Sequence, residues 1–191
     1  MAYVFVLYLV SLLQNNLWVN EFRIDWSTVN AISLAVAAPI AFIAEIADKL
    51  EYLPLAILAF LIAQTVITDG IERKASESTL LAGFVCIVAA NVFNSENVGE
   101  ALENGLVAVL ALVMATILSV FISADSFALG LLAMATYSVS RFDGLLLGAV
   151  VASFAVAVYI LVGIAVKRNL DFTIPMVPVV LSSAALVVAI Q

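Results

Sequence analysis

Polar residues punctuate this chain so that seven apolar runs remain, over residues 2–19, 30–48, 53–68, 76–93, 105–136, 144–166 and 172–190. The runs are continuous rather than alternating. A transmembrane barrel would show alternating segments of about ten residues, whereas runs approaching 20 apolar residues predict helices that cross about 30 Å of hydrocarbon. The first run follows the initiating Met without a basic leader or a small-x-small cleavage site, and it reads as a retained span rather than a signal peptide. Gln14, Asn15 and Asn16 interrupt it. The run 105–136 would measure about 48 Å as one helix, too long for one crossing and too short for two. A long tilted helix, or one broken near 123–126, accommodates it.

The punctuation predicts how the runs join. Glu21, Arg23 and Asp25 form a short polar connection, with Trp18 and Trp26 as interfacial anchors. Ser27 or Thr28 suits a helix cap, Pro39 is expected to kink the second run, and Pro54 sits in a first turn, where proline is tolerated. Residues 94–104 carry Glu96, Glu100 and Glu103 with no base and predict a solvated loop. Arg141 and Asp143 mark one turn; Lys167, Arg168 and Asp171 mark the next. The fold class expected is an all-α, polytopic transmembrane bundle of about seven helices in one domain. Its arrangement is one plus three plus three: an N-terminal helix within 1–28, a first three-helix repeat over 29–94 and a second over 105–191. An acid falls near the end of the first helix of each triplet, Asp48 18 residues after Asn30 and Asp125 20 after Gly105. An odd number of spans per repeat inverts the second copy, the plan of many secondary transporters.

Composition strengthens the membrane assignment. Of 191 residues, 65% are hydrophobic and 11% charged, with a mean hydropathy of +1.22, against roughly 45–50% and about 25% in soluble domains. The net charge is −7, with seven basic residues and no histidine, which argues against nucleic acid as a partner because that would need a basic face. A single cysteine, Cys86, excludes an internal disulfide and reads as a small buried residue. Basic residues are too evenly divided between alternate loops to fix an orientation.

Charge inside the apolar runs carries the candidate chemistry, because a charge near the bilayer centre costs at least roughly 2.5–3.5 kcal/mol. Glu45 and Asp48, three residues apart, share one helix face. Two carboxylates on one face suit a hard cation such as Ca²⁺ or Mn²⁺, and their mutual repulsion would let one exchange a proton for metal. Gln64 and Thr65 on the next span, and Ser123, Asp125 and Ser126 across the bundle, could add oxygens. The alternative stays open that residues 45–51 are a turn between two spans. Asp125 is expected to face a cavity or a partner, because Val120-Phe121-Ile122 and Phe127-Ala128-Leu129 flank it. Asp69 and Glu72 repeat the spacing, but Arg73 and Lys74 follow, as in a solvated helix end.

Glu45-Ile46-Ala47-Asp48-Lys49-Leu50 resembles the Glu-x-Gly-Asp-(Lys/Arg)-(Thr/Ser) motif of small cation exporters of the LysE superfamily. Ser123-Ala124-Asp125-Ser126-Phe127-Ala128-Leu129-Gly130 is similar to the Asp-Ala-Phe-Ala-x-x-x-Gly stretch of its MntP-type manganese pumps and to the Asp-Ser stretch of TerC-type proteins. Ala47 replaces the motif glycine, Leu50 the Thr/Ser, and the second copy lacks the leading Glu. The resemblance implies that Glu45, Asp48 and Asp125 are cation ligands and that transport runs against protons. The expected metal set is therefore Glu45, Asp48, Asp125, Gln64, Ser123 and Ser126, with Mn²⁺ or Ca²⁺ as cargo and no resident cofactor. The expected partners are the lipid bilayer, small cations, and copies of the chain or other membrane subunits. The competing function is a non-catalytic subunit of a larger membrane complex. Catalysis is not expected: there is no histidine, no nucleophile–base pairing and no nucleotide-binding motif.

Overall fold

The computed structural model describes residues 26–47, 53–72, 77–122, 125–167 and 176–190. The expected span over 2–19, Asp48 and Ser123 lie outside them. Among the described residues the chain is entirely helical, in six helices. These are α1 (Trp26–Ile46), α2 (Leu53–Glu72), α3 (Glu77–Phe93), α4 (Val98–Ile122), α5 (Ser126–Lys167) and α6 (Met176–Ile190). The 42-residue α5 is two helices in one: Ser140 (φ −135°, ψ 25°) and Arg141 (φ 54°, ψ −131°) break it. A first arm over 126–139 and a second over 142–167 result.

Three of these helices are long and apolar enough to cross a membrane, over Ser27–Ile46, Val98–Val120 and Ser126–Val162. The last of these, at 37 residues, would run to about 56 Å if straight. The break divides it into one short piece and one piece of spanning length. Leu53–Thr68, Thr79–Phe93 and Met176–Ile190 are shorter apolar helices.

Local chemistry sets where the helices start. The Asn97 side chain accepts the Glu100 N–H at 2.9 Å, and the Glu100 carboxylate accepts the Glu96 N–H at 2.9 Å. This reciprocal cap, close to a capping box, starts α4 at Val98. The expected solvated loop over 94–104 therefore shrinks to 94–97, and Glu100 and Glu103 ride on a helix instead. At the next boundary Asp125 Oδ1 accepts the N–H groups of Phe127 (2.8 Å) and Ala128 (3.0 Å), so α5 starts anew and the apolar run 105–136 is cut in two. Of the two geometries open for that run, the broken one is found. Pro39 lies inside α1 without ending it.

The core is built on α2. Leu53, Ala56, Ile57, Phe60, Leu61, Gln64, Thr65 and Thr68 recur on one face and are all buried, the spacing of a helix that packs along one stripe. α1 and α3 lie against α2, and α6 packs on both α2 and α5. Ser33, Ala37, Ala41 and Ala44 of α1 are wholly shielded, small residues that let two apolar backbones approach. The tightest approach joins the two arms of α5. A Cβ on Gly144 would lie 2.0 Å from the Thr136 carbonyl oxygen, and one on Gly148 would lie 2.8 Å from Thr136 Cγ2. Only glycine fits at 144, where the obstacle is backbone; at 148 the Thr136 side chain would have to give way.

The outer surface is apolar. Ile32, Val36, Phe42 and Ile43 on α1, Leu106, Val109, Val113 and Ile117 on α4, and Leu146, Val150, Phe154 and Leu161 on α5 are all exposed. Faces of this extent rarely meet water in monomeric soluble proteins.

Candidate functional site

Polar groups collect in three places. The first lies between α1 and α2, where Gln64 Nε2 donates to Asn30 Oδ1 and both residues are buried. The hydroxyls around them donate back to their own helices: Ser33 to the Val29 carbonyl at 2.8 Å, Thr65 to Leu61 at 2.8 Å and Thr68 to Gln64 at 3.0 Å. Neutral groups satisfied in this way are tolerable in an apolar interior, where an unmet donor costs several kcal/mol.

The second place holds the acids on which the sequence focused. Glu45 occupies the last turn of α1, half-buried, with Oε2 closed off from solvent. Gln64, expected to ligate alongside it, lies elsewhere. It pairs with Asn30, 15 residues before Glu45 on α1, or about 22 Å along the helix axis. Oxygen ligands to a hard cation stand at about 2.3–2.6 Å, so one ion cannot bind both. Asp125 and Ser126 meet at the start of α5, both half-buried. Oδ1 of Asp125 is engaged with the helix N-terminus, where it accepts two N–H groups that lack intrahelical partners. Oδ2 stands outside those bonds. Among the described residues, no three His, Cys, Asp or Glu side chains converge.

The third place is one the sequence did not single out. Nη2 of Arg141 pairs with Glu100 Oε1, while Nη1 donates to Tyr137 OH at 3.2 Å and to Glu103 Oε1 and Asn104 Oδ1 at 3.5 Å each. Tyr137 OH donates to Glu103 Oε1 at 2.8 Å. The guanidinium carbon lies 5.6 Å from the Tyr137 ring centre, and Phe142 meets that ring edge-on at 5.7 Å. Asn104 Nδ2 extends the network to α3 through the Asn91 carbonyl (3.1 Å) and Ser95 Oγ (2.9 Å). The end of α3, the start of α4 and the break in α5 are thus tied together.

Two features of this network oppose one another. Arg141 is the only non-glycine residue with positive φ among the described residues, a conformation that costs on the order of 1–3 kcal/mol. Its ion pairs reach water, the side chains of Arg141, Glu103 and Glu100 being 48%, 53% and 23% exposed, so salt screens them. A sequence signal existed. Arg141 is the single basic residue between Lys74 and Lys167, while Glu100, Glu103 and Asn104 share a helix face and Tyr137 precedes Arg141 by one turn.

No family model, curated protein or solved structure matches the chain.

Proposed function

We propose that this chain is a multi-pass integral membrane protein that exports small cations, a divalent metal such as Mn²⁺ or Ca²⁺, in exchange for protons or another ion. The observation that carries this reading is the interruption of a long apolar run at Asp125, between the end of α4 and the start of α5. Transporters build substrate sites at breaks of this kind between apolar helices. The exposed apolar faces of α1, α4 and α5 supply the lipid contact.

The inverted repeat fits this reading in a revised form. α1, α2 and α3 form one triplet; α4 and the two arms of α5 form the other, with α6 outside both. Each acidic signature then falls between the first and second members. The ligands are Glu45, Asp48 and Asp125, with oxygens from Ser123 and Ser126, while Gln64 pairs with Asn30 instead.

Metal flux in proteoliposomes under a proton gradient tests the proposal. Asparagine caps a helix about as well as aspartate, so Asp125→Asn keeps the fold and removes the charge. Loss of flux in a folded Asp125→Asn protein is expected; flux equal to wild type would overturn the role of Asp125. A second reading, a non-transporting subunit of a membrane complex, draws on the engagement of Asp125 Oδ1 as a cap. It expects wild-type flux no greater than in empty vesicles and a membrane protein that co-purifies.

A further inference from the structure

We propose that the Arg141 network is a latch across the break in α5, and that its release lets the second arm move away from α4 and the first arm. The proposal is independent of cation transport. Three observations carry it. Arg141 holds a backbone conformation that an L-residue rarely adopts (φ 54°, ψ −131°), and its guanidinium is anchored on α4 through Glu100, Glu103 and Asn104. The hinge is thus strained in the closed state, and solvent-facing ion pairs hold it there. Between residues 142 and 162 the second arm fully buries only Gly144, Gly148 and Ala152, with Leu145, Val151, Ala155, Val156 and Ile160 half-buried. The three fully buried residues present almost no side chain, so there the seam closes by backbone fit and separates without disentangling interlocked groups.

Magnitudes decide between a latch and a permanent brace. A brace built from buried, mutually satisfied charges would ignore salt. This one has exposed partners, and its attraction is set against local strain, so modest screening can reverse the balance. The Tyr137 ring is buried and its hydroxyl bridges Glu103 to Arg141, with the guanidinium carbon 5.6 Å from the ring centre.

Spin-label distances across the hinge test the latch. The labels go on Leu106→Cys of α4 and Leu146→Cys of the second arm, both exposed positions, in a Cys86→Ala background of the full chain in lipid nanodiscs. Wild type at low salt should give one distance. A second, longer population should appear in Glu100→Gln/Glu103→Gln, in Arg141→Gly, and in wild type at about 1 M salt, where the screening length falls to about 3 Å. A single unaltered distance across these conditions would make the network a static brace and overturn the proposal. If the Gln variants fail to fold, the wild-type salt series alone decides, because it changes no residue.

Discussion

Both arms of α5 are predominantly apolar, yet they live in different surroundings. In the first arm Ala128, Leu131, Leu132, Met134, Ala135, Thr136 and Tyr137 are buried, and side chains of α2, α3 and α6 join them in the core. In the second arm Leu146, Val150, Phe154 and Leu161 face outward. Apolar side chains gain little by leaving lipid for protein, so apolarity by itself does not mark which arm is interior. The difference arises from length and from the seam. An arm of 14 residues spans about 21 Å and can be surrounded on all sides. One of 26 residues reaches about 39 Å and touches the bundle mainly along its glycine stripe.

Four substitutions, measured by unfolding in detergent micelles, would break or sharpen that contrast. The largest effect is expected from Gly144→Ala, whose new Cβ would collide with the Thr136 carbonyl oxygen. Backbone cannot step aside as a side chain does, so the loss should exceed the roughly 1–3 kcal/mol of ordinary overpacking, read as disappearance of the folded, monodisperse species. Next comes Leu131→Ala in the first arm, a wholly buried residue, expected to cost about 2–5 kcal/mol. A cost near zero would show that the first arm is not core. Gly148→Ala meets only the Thr136 side chain, which can rotate, and about 1 kcal/mol is expected. The smallest effect belongs to Leu146→Ala in the second arm, within about 0.5 kcal/mol of wild type. If it matched Leu131→Ala, that face would be covered by protein rather than lipid.

The polar assemblies repeat the contrast. Between α1 and α2 the buried pair Asn30–Gln64 is neutral and hydrogen-bonded; Arg141 and its acidic partners are ionisable and reach water. Desolvation explains the division, since an ion in an apolar interior costs far more than an amide. It also accounts for Gln64, which the sequence suggested as a ligand for its place on an apolar span and which packing commits to Asn30 instead.

Sequence alone determined the helical class, the apolar runs and most of the punctuation. Continuous apolar stretches leave backbone groups no partner but their own helix, and the residues at 123–126 and 140–143 interrupt two of those stretches visibly. It also singled out Asp125, though as a site residue rather than as the cap of α5. Tertiary structure alone decided which apolar surfaces are core, that Gly144 and Gly148 lie against Thr136, and that Arg141 reaches Glu100 and Glu103 across 41 and 38 residues. The physical reason is one of range. Helix formation and capping depend on neighbours within a turn or two, which a pattern of residue types records. Burial and ion pairing depend on which helices meet, and in a chain this uniformly apolar many pairings satisfy the same pattern.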